Sequence, residues 1–466
     1  MTNRWGTSST GARYRRTAAS MAAPLLAATL VLAGPATANT ASAETTASRS
    51  AAAPSAAKVV RPSARKKAAK PFKVTSGITF NHPFRKGRRA AIHNKIVSTL
   101  RHVKKGQTVR AMTWNFSSPR LVHAFIAAHK RGVSVQILMS RNLAWAQGPK
   151  GSFPTLQRAL AKGNKKRPAD LRSWIRTCYK TCRGKGGAVH DKLMLVSKSG
   201  ITKWIVMEGS GNFTGAAAYN QFNDWVTLTN RRGLYEGWMK MWRQARRDKP
   251  VKPLRFKKGD VLSMFAPHHK QQDPAMHVLN AVKCHGATNR ADGRTKIRIA
   301  NAVWGDQRGI KIARKVKQLK NRGCNIKIVT MMMSLKIRNI LHGVRAKQMV
   351  YIVGATANKF KDRYVHLKGL SVQGHVGDRR DESLILSSSE NWTHLCWHSD
   401  EQDIIVYDHP AWARKYANWV DLIYRQAPRS LGNYVGSADP RARMRSRSDF
   451  LGPKDYPFHS LEAELS

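Results

Sequence analysis

A neutral imidazole can attack phosphorus or pass a proton, and an ammonium two residues away can hold an anionic substrate against it. This sequence offers that pairing five times, as His-x-Lys at His93/Lys95, His102/Lys104, His190/Lys192, His268/Lys270 and His366/Lys368. In a chain with 83 Lys and Arg, one such triplet carries little information. Context separates the five. His93 and His102 fall on an amphipathic helical stretch and His268 follows Pro267 in a loop, so these three read as solvated surface. His190 and His366 share a longer pattern. His190 is followed by an apolar stretch, Leu193–Val196, and His366 by Gly369-Leu370-Ser371-Val372, and each then by a second strand, Trp204–Met207 or Ser383–Leu386. The first strand ends in Gly209-Ser210-Gly211-Asn212-Phe213-Thr214 and the second in Ser388-Ser389-Glu390-Asn391-Trp392-Thr393. An acid stands twelve residues beyond each asparagine, Asp224 and Asp403.

This set suits an attack on a phosphodiester, an anion that repels nucleophiles. Lys192, Lys368, Asn212 and Asn391 have the donors to bind the non-bridging oxygens and stabilise a five-coordinate transition state, with Ser210 and Ser389 as secondary donors. One histidine would form a phosphohistidine; the other, protonated, would donate to the leaving alkoxide and then activate water. Asp224 and Asp403 are the expected carboxylates behind the imidazoles, fixing their tautomers. Asn212 and Asn391 also match the Asn-x-Thr glycosylation acceptor, but the shared context explains both better. The lysines supply the positive charge, so this chemistry requires no metal and no cofactor, and no Asp/Glu cluster stands at ligand spacing.

The doubled pattern resembles the phospholipase D superfamily, whose signature is His-x-Lys-x4-Asp followed by Gly-Ser-x-Asn. The resemblance spans roughly residues 74–430. It implies an α/β fold of two similar β-α-β-rich halves, a pseudo-twofold sandwich with one shared active site, and it favours His190 as nucleophile and His366 as general acid/base. Two departures stand out. Seven residues after each histidine, where the family has Asp, this chain has Ser197 and Gln373, and the second Gly-Ser is Ser388-Ser389. In the family that Asp supports the site from outside, so its loss bears on efficiency and local stability rather than on reaction type.

The elements that must position these residues repeat as well. Val109–Trp114 reads as a strand, a helix follows Pro119 with Leu121, Val122, Phe125 and Ile126 on one face, Arg131-Gly132 ends it, and Val133–Met139 is the next strand. In the second half Ile297–Val303, a helix marked by Ile312, Ala313, Val316 and Leu319, Arg322-Gly323, and Ile326–Met331 run in the same order. Glycine after each helix suits a left-handed C-cap. A longer polar loop is expected between Val372 and Ser383. The halves are expected over 73–255 and 256–430.

The ends read differently. Arg4, Arg13, Arg15 and Arg16 precede an apolar stretch, Met21–Leu32, and two A-x-A sites, Ala36-Thr37-Ala38 and Ala41-Ser42-Ala43, so residues 1–43 read as a secretory signal. Residues 44–72 read as a basic disordered linker and 431–466 as a polar tail. In an exported protein the five cysteines can pair. Cys178 with Cys182 and Cys284 with Cys324 are the expected bridges, leaving Cys396; a zinc site finds no second Cys or His pair at ligand spacing. The formal charge is +57 against only 26 Asp and Glu, which attracts polyanions. Three functions therefore compete: a secreted phosphodiesterase acting on phospholipid headgroups in peripheral contact with membrane, an extracellular nuclease, and a weakly catalytic protein that binds nucleic acid, cell wall or another anionic surface. Aromatics near the motifs (Trp114, Trp174, Trp204, Trp392, Trp397) suit base stacking, a lipid cleft or a core equally. Two halves in one chain complete a site, which points to a monomer.

Overall fold

The computed structural model describes residues 70–267, 272–351, 363–427 and 429–430. The expected signal, most of the linker, the tail and the His268/Lys270 triplet lie outside the described residues. The first half contributes seven strands: β1 (Gly77–Phe80), β2 (Thr108–Thr113), β3 (Ser134–Met139), β4 (Trp174–Thr177), β5 (Lys192–Ser199), β6 (Thr202–Gly209) and β7 (Asp224–Leu228). They form a sheet in the order β1-β7-β6-β5-β2-β3-β4. The second half repeats them as β8 (Val261–Phe265), β9 (Lys296–Trp304), β10 (Asn325–Met333), β11 (Arg345–Gln348), β12 (Lys368–Val376), β13 (Arg379–Ser388) and β14 (Gln402–Val406). Their order, β8-β14-β13-β12-β9-β10-β11, is the same, with short strands added at the edges of a 10-stranded sheet. Parallel and antiparallel pairings also correspond: β2–β3 and β9–β10 are parallel, β2–β5 and β9–β12 antiparallel.

The strands form because their β-branched and aliphatic runs are buried on both faces, as sheets covered by helices require. On the outer face of the first sheet, Val109, Ala111, Val135, Ile137, Met194 and Met207 pack against α1 (Ala91–Arg101) and α2 (Pro119–Lys130). α2 starts on the Ser118 hydroxyl, which accepts from the Leu121 N–H, with Pro119 at its first turn. The helix ends where Gly132 turns at φ +89°; Gly323 turns at φ +95° after the equivalent helix. A third helix, α3 (Arg232–Ala245), follows β7. The second sheet is covered in the same way by α4 (Pro274–Ala281) and α5 (Asp306–Asn321), and α6 (Pro410–Gln426) follows β14. Between the halves lies a shared core. Leu193, Leu195, Val206 and Val226 of one sheet and Ile385, Ile404 and Val406 of the other meet there with Trp238 and Trp242 of α3 and Tyr416 and Trp419 of α6. The expected bridges Cys178–Cys182 and Cys284–Cys324 form, and Cys396 is free and buried.

Two expectations are corrected. The chain between Val372 and Ser383 is not a long polar loop: β12 runs to Val376 and the turn is only Gly377-Asp378, because the polar residues there alternate across a hairpin. His93 is not solvated. It is 2% exposed, with Nδ1 3.5 Å from the Ser118 hydroxyl, and burial lowers its pKa to about 4.

Candidate active site

The two halves exchange backbone hydrogen bonds at both motif histidines. The His190 N–H donates to Asp400 O at 2.9 Å, and the His366 N–H donates to Phe222 O at 3.0 Å. Val189 bridges to Asp400, and Val365 to Phe222, both in parallel fashion. Each histidine thus enters its strand, β5 or β12, pinned to the loop that precedes β14 or β7 of the opposite half. Lys192 and Lys368, the first residues of those strands, are fully buried. Their Nζ atoms donate back to the carbonyls of His190 (2.6 Å) and His366 (3.1 Å). Equivalent histidines and lysines thus open equivalent strands in the two halves.

The groups behind the imidazoles differ from the expected ones. His190 Nδ1 lies 2.8 and 2.9 Å from the two oxygens of Glu401. His366 Nδ1 lies 2.8 Å from Asn223 Oδ1. Neither expected aspartate fills this place. Asp224 accepts from the Ser210 hydroxyl at 2.6 Å and from the Ser387 hydroxyl at 3.3 Å, and Asp403 lies within β14 opposite Met264 and Ser388. Equal spacing from the asparagines misled because the loops differ by one residue: the Ser210–Asp224 pair is 14 residues apart and the equivalent Ser389–Gln402 pair 13. Aligning the apolar ends of the strands, Val226-Thr227-Leu228 with Ile404-Ile405-Val406, pairs Asn223 with Glu401 directly. That was the signal available in the sequence.

Burial alone would raise the Glu401 carboxyl, yet the facing His190 imidazole, Lys192 and the Ser389 hydroxyl hold it at about 2. Ser389 donates its proton to Glu401, as Ser210 does to Asp224. Both serine hydroxyls are therefore spent inside their own loops, and the expected role as phosphate donors is corrected to one of support. Asn391 is different. Its amide nitrogen and oxygen are both buried without a hydrogen-bond partner, as a substrate-facing group would be. Arg308 of α5 fixes it from behind, donating to Asn391 O at 3.0 Å while paired with Asp273 (2.6 Å) and Glu390.

Three further residues escaped the sequence. Asp400 accepts from the N–H groups of Cys182 (2.5 Å) and Arg183 (2.9 Å), so the Cys178–Cys182 loop holds the residue next to Glu401. Burial pushes the Asp400 carboxyl up to about 7 even so. Asp191, the middle residue of the first His-x-Lys, and Glu208 are also buried carboxyls driven well above the ordinary range by burial and by neighbouring acids. Trp114 has its ring edge-on to His190 at 5.9 Å. Trp174 stacks on Trp242 and Trp392 packs on Trp304. Among the described residues no group of three or more His, Cys, Asp or Glu is arranged to hold a metal ion.

A family model described as cardiolipin synthase, PLD-like domain, matches residues 96–242. The six strands within that span, β2 to β7, recur in the same order in the second half. Over that span the chain resembles the phospholipase D superfamily. This phospholipase D-like chain is similar to solved structures of the same two-halved α/β architecture. The phosphatidylserine synthase of Haemophilus influenzae aligns over 79% of this chain and 92% of its own, at 12% identity and a TM-score of 0.51. The polyphosphate kinase of Porphyromonas gingivalis aligns over 80% of this chain at 12% identity and a TM-score of 0.50; the chain spans only 54% of that kinase. The phospholipase D family member Nuc of Salmonella typhimurium aligns over 37% of this chain and 95% of its own, at 21% identity and a TM-score of 0.28. No curated protein matches the sequence.

Proposed function

We propose that this chain is an exported phosphodiesterase that cleaves phospholipid headgroups through a phosphohistidine intermediate. One observation carries the reading: two imidazoles are each oriented through Nδ1 by a residue of the opposite half, and each is followed two residues on by a fully buried lysine. Orientation through Nδ1 leaves Nε2 of each ring as the reacting atom. Lys192, Lys368, Asn212 and Asn391 take the non-bridging oxygens, and no residue outside one chain is needed to complete the set, so the enzyme works as a monomer. The names of the matching family model and of the phosphatidylserine synthase support a lipid headgroup as the substrate. Among the described residues no helix is long and apolar enough to cross a membrane, which leaves electrostatic contact with an anionic surface as the means of reaching lipid.

The charge of +57 favours a second reading, an extracellular nuclease of the same chemistry, because a basic surface holds successive phosphates. The deciding experiment is a substrate panel. Headgroup release from phosphatidylcholine and phosphatidylglycerol vesicles supports the first reading, and plasmid degradation in EDTA the second. If neither activity appears and binding is salt-sensitive, polyanion binding remains; unchanged activity in either His190→Ala or His366→Ala sinks the one-site mechanism.

A further inference from the structure

Among the described residues six large apolar side chains are exposed: Phe84, Trp145, Tyr179, Ile201, Tyr219 and Leu335. One such residue on a surface means little, since folded proteins leave much apolar area in water. Their placement carries the information. Five of the six stand on segments at the end of the sheets where His190 and His366 open their strands.

Strand pairing fixes that end. Thr113 at the end of β2 lies opposite Lys192, Met139 at the end of β3 beside Thr113, and Thr177 at the end of β4 beside Met139. Phe80 at the end of β1 lies opposite Asp224 at the start of β7. In the second half Asn301 lies opposite Lys368, and β9 and β10 end side by side at Trp304 and Met333. The two halves face the same way, because Val189 pairs in parallel with Asp400 and Val365 in parallel with Phe222. β5 and β14, and likewise β12 and β7, therefore leave the site in one direction. Phe84 follows β1, Trp145 follows β3, Tyr179 follows β4, Tyr219 precedes β7 and Leu335 follows β10. All five thus share the end that holds the site, while Ile201 stands in the β5–β6 turn at the opposite end.

The charge of these segments is one-sided. Residues 81–90, 140–151, 178–188, 215–223 and 334–341 include no Asp or Glu. Exposed cations stand beside the apolar side chains. Arg85 and Lys86 follow Phe84, Lys336 follows Leu335, and Arg141 and Lys180 lie 5.6 and 5.9 Å from the centre of the Tyr179 ring. Two acids that reach this end from neighbouring elements are engaged: Asp248 accepts from the Tyr179 N–H at 3.0 Å, and Asp306 pairs with His394 at 2.7 Å.

We infer that this end of the molecule lies on an anionic lipid bilayer, with Phe84, Trp145, Tyr179, Tyr219 and Leu335 entering the headgroup layer around the active site. The inference rests on the lipid reading above and assigns the surface that brings the site to its substrate. Trp and Tyr favour such an interface because the body of the side chain is apolar and its tip polar, and each cation nearby gains from the negative potential of the leaflet. The spread of positions favours lipid over nucleic acid. Phe84 and Tyr219 lie towards one edge of the first sheet, Trp145 and Tyr179 towards the other, and Leu335 on the second sheet, an arrangement that suits contact with a plane. A single strand of nucleic acid calls for aromatics in file along one groove, and the aliphatic Leu335 offers it no stacking face.

The test combines Trp145→Ser with Leu335→Ser, one position from each half, and takes Ile201→Ser as the control at the far end. Binding is measured by sedimentation with vesicles of mixed phosphatidylglycerol and phosphatidylcholine. The double variant is expected to bind at least ~10-fold more weakly and to show a raised KM on vesicle phosphatidylcholine, with kcat/KM on monomeric short-chain phosphatidylcholine unchanged. Ile201→Ser is expected to change none of these. Arg85→Gln and Lys86→Gln are each expected to weaken binding to the anionic vesicles roughly 5-fold. Hydrogen–deuterium exchange of the wild type needs no variant: vesicles are expected to protect peptides within 140–151 and 334–341 and not the turn at 199–202. Equal vesicle binding by wild type and double variant, an equal loss in Ile201→Ser, or protection absent from both peptides overturns the inference. Weaker binding of the double variant to a single-stranded oligonucleotide, with vesicle binding intact, assigns the face to nucleic acid and overturns it as well. If wild type cleaves neither vesicle nor monomeric lipid, the lipid phosphodiesterase reading falls, while vesicle binding and protection still decide whether this face meets a bilayer.

Discussion

Replacing Glu401 with Gln removes one charge and leaves the shape nearly unchanged. The Glu401 carboxyl moves from an ordinary 4.5 to about 2 in this fold although it is completely buried. At 1.36 kcal/mol per unit, that shift is about 3 kcal/mol of net preference for the ionised form, after burial has been overcome. His190 is the largest source of that preference, followed by Lys192 and Ser389. Linkage requires the same interaction to favour the positive charge His190 takes on when it bonds phosphorus or a proton, so Glu401→Gln should lower turnover roughly 100-fold. The amide also brings a conflict, since its nitrogen cannot accept from the Ser389 hydroxyl that now donates to the carboxylate. Steady-state release of choline, with a melting curve on each protein, measures the effect. The pH dependence of stability has a definite sign. Because the folded value lies below the ordinary one, the stabilisation is complete above about pH 4.5 and is lost as pH falls towards 2. The variant should therefore unfold more easily than wild type at neutral pH, and the gap should close on acidification through that window. Unchanged choline release, or a stability gap that widens in acid, would refute a role through the His190 charge.

Other perturbations test the supports of the site. Arg308→Met leaves Asp273 and Glu390 buried without their partner and should cost about 3–5 kcal/mol, read as a fall in melting temperature accompanied by loss of activity. Asn391→Ala removes the unpartnered amide and should lower kcat about 100-fold while leaving the melting temperature nearly unchanged, because no internal hydrogen bond of that side chain is lost. The double change Cys178→Ser with Cys182→Ser frees the loop that donates to Asp400 and should depress turnover. Cys284→Ser with Cys324→Ser, which opens a bridge beside the outer helix of the second half, should affect stability and not turnover; kcat and thermal melts on both variants decide the point.

The sequence carried the fold because both halves state it. The strand, helix, Arg-Gly and strand series is driven by runs such as Val133–Met139 and Ile326–Met331, whose burial on both faces leaves little alternative, and by glycines at positive φ that no other residue type adopts so readily. The histidines, lysines and asparagines were legible for the same reason. The partners of the histidines were not, because Nδ1 contacts cross between the halves and depend on strand register, where a one-residue difference in loop length makes Gln402 the counterpart of Asp224 and Glu401 the counterpart of Asn223. Arg308 was hidden by abundance: in so basic a chain nothing local distinguishes an arginine that is fully buried between two acids. His93 was misread because its helix has a broad apolar face, and the ring is covered by the Ser118 turn rather than by its own helix.

The same reasoning accounts for the two missing motif aspartates. Ser197 lies five residues beyond Lys192 on an extended strand, roughly 17 Å along it, so a side chain there cannot reach a phosphate held at Lys192. What it does reach is the start of β2. Its hydroxyl accepts from the Thr108 N–H at 2.9 Å and donates to Gln107 Oε1 at 2.8 Å, tying β5 to β2 at the end remote from the site. At the near end of the same strand pair, Thr113 stands opposite Lys192, so the tie helps to fix the register that places the lysine. Gln373 occupies the equivalent place in β12, opposite Lys296 and Ser383. In both halves a neutral side chain stands where the family has a carboxylate; the strand pairing runs unbroken from Gln373 to Lys368 in β12 and from Val196 to Lys192 in β5. The departures therefore change how the strands are fastened at their far ends, away from Glu401 behind one histidine and Asn223 behind the other.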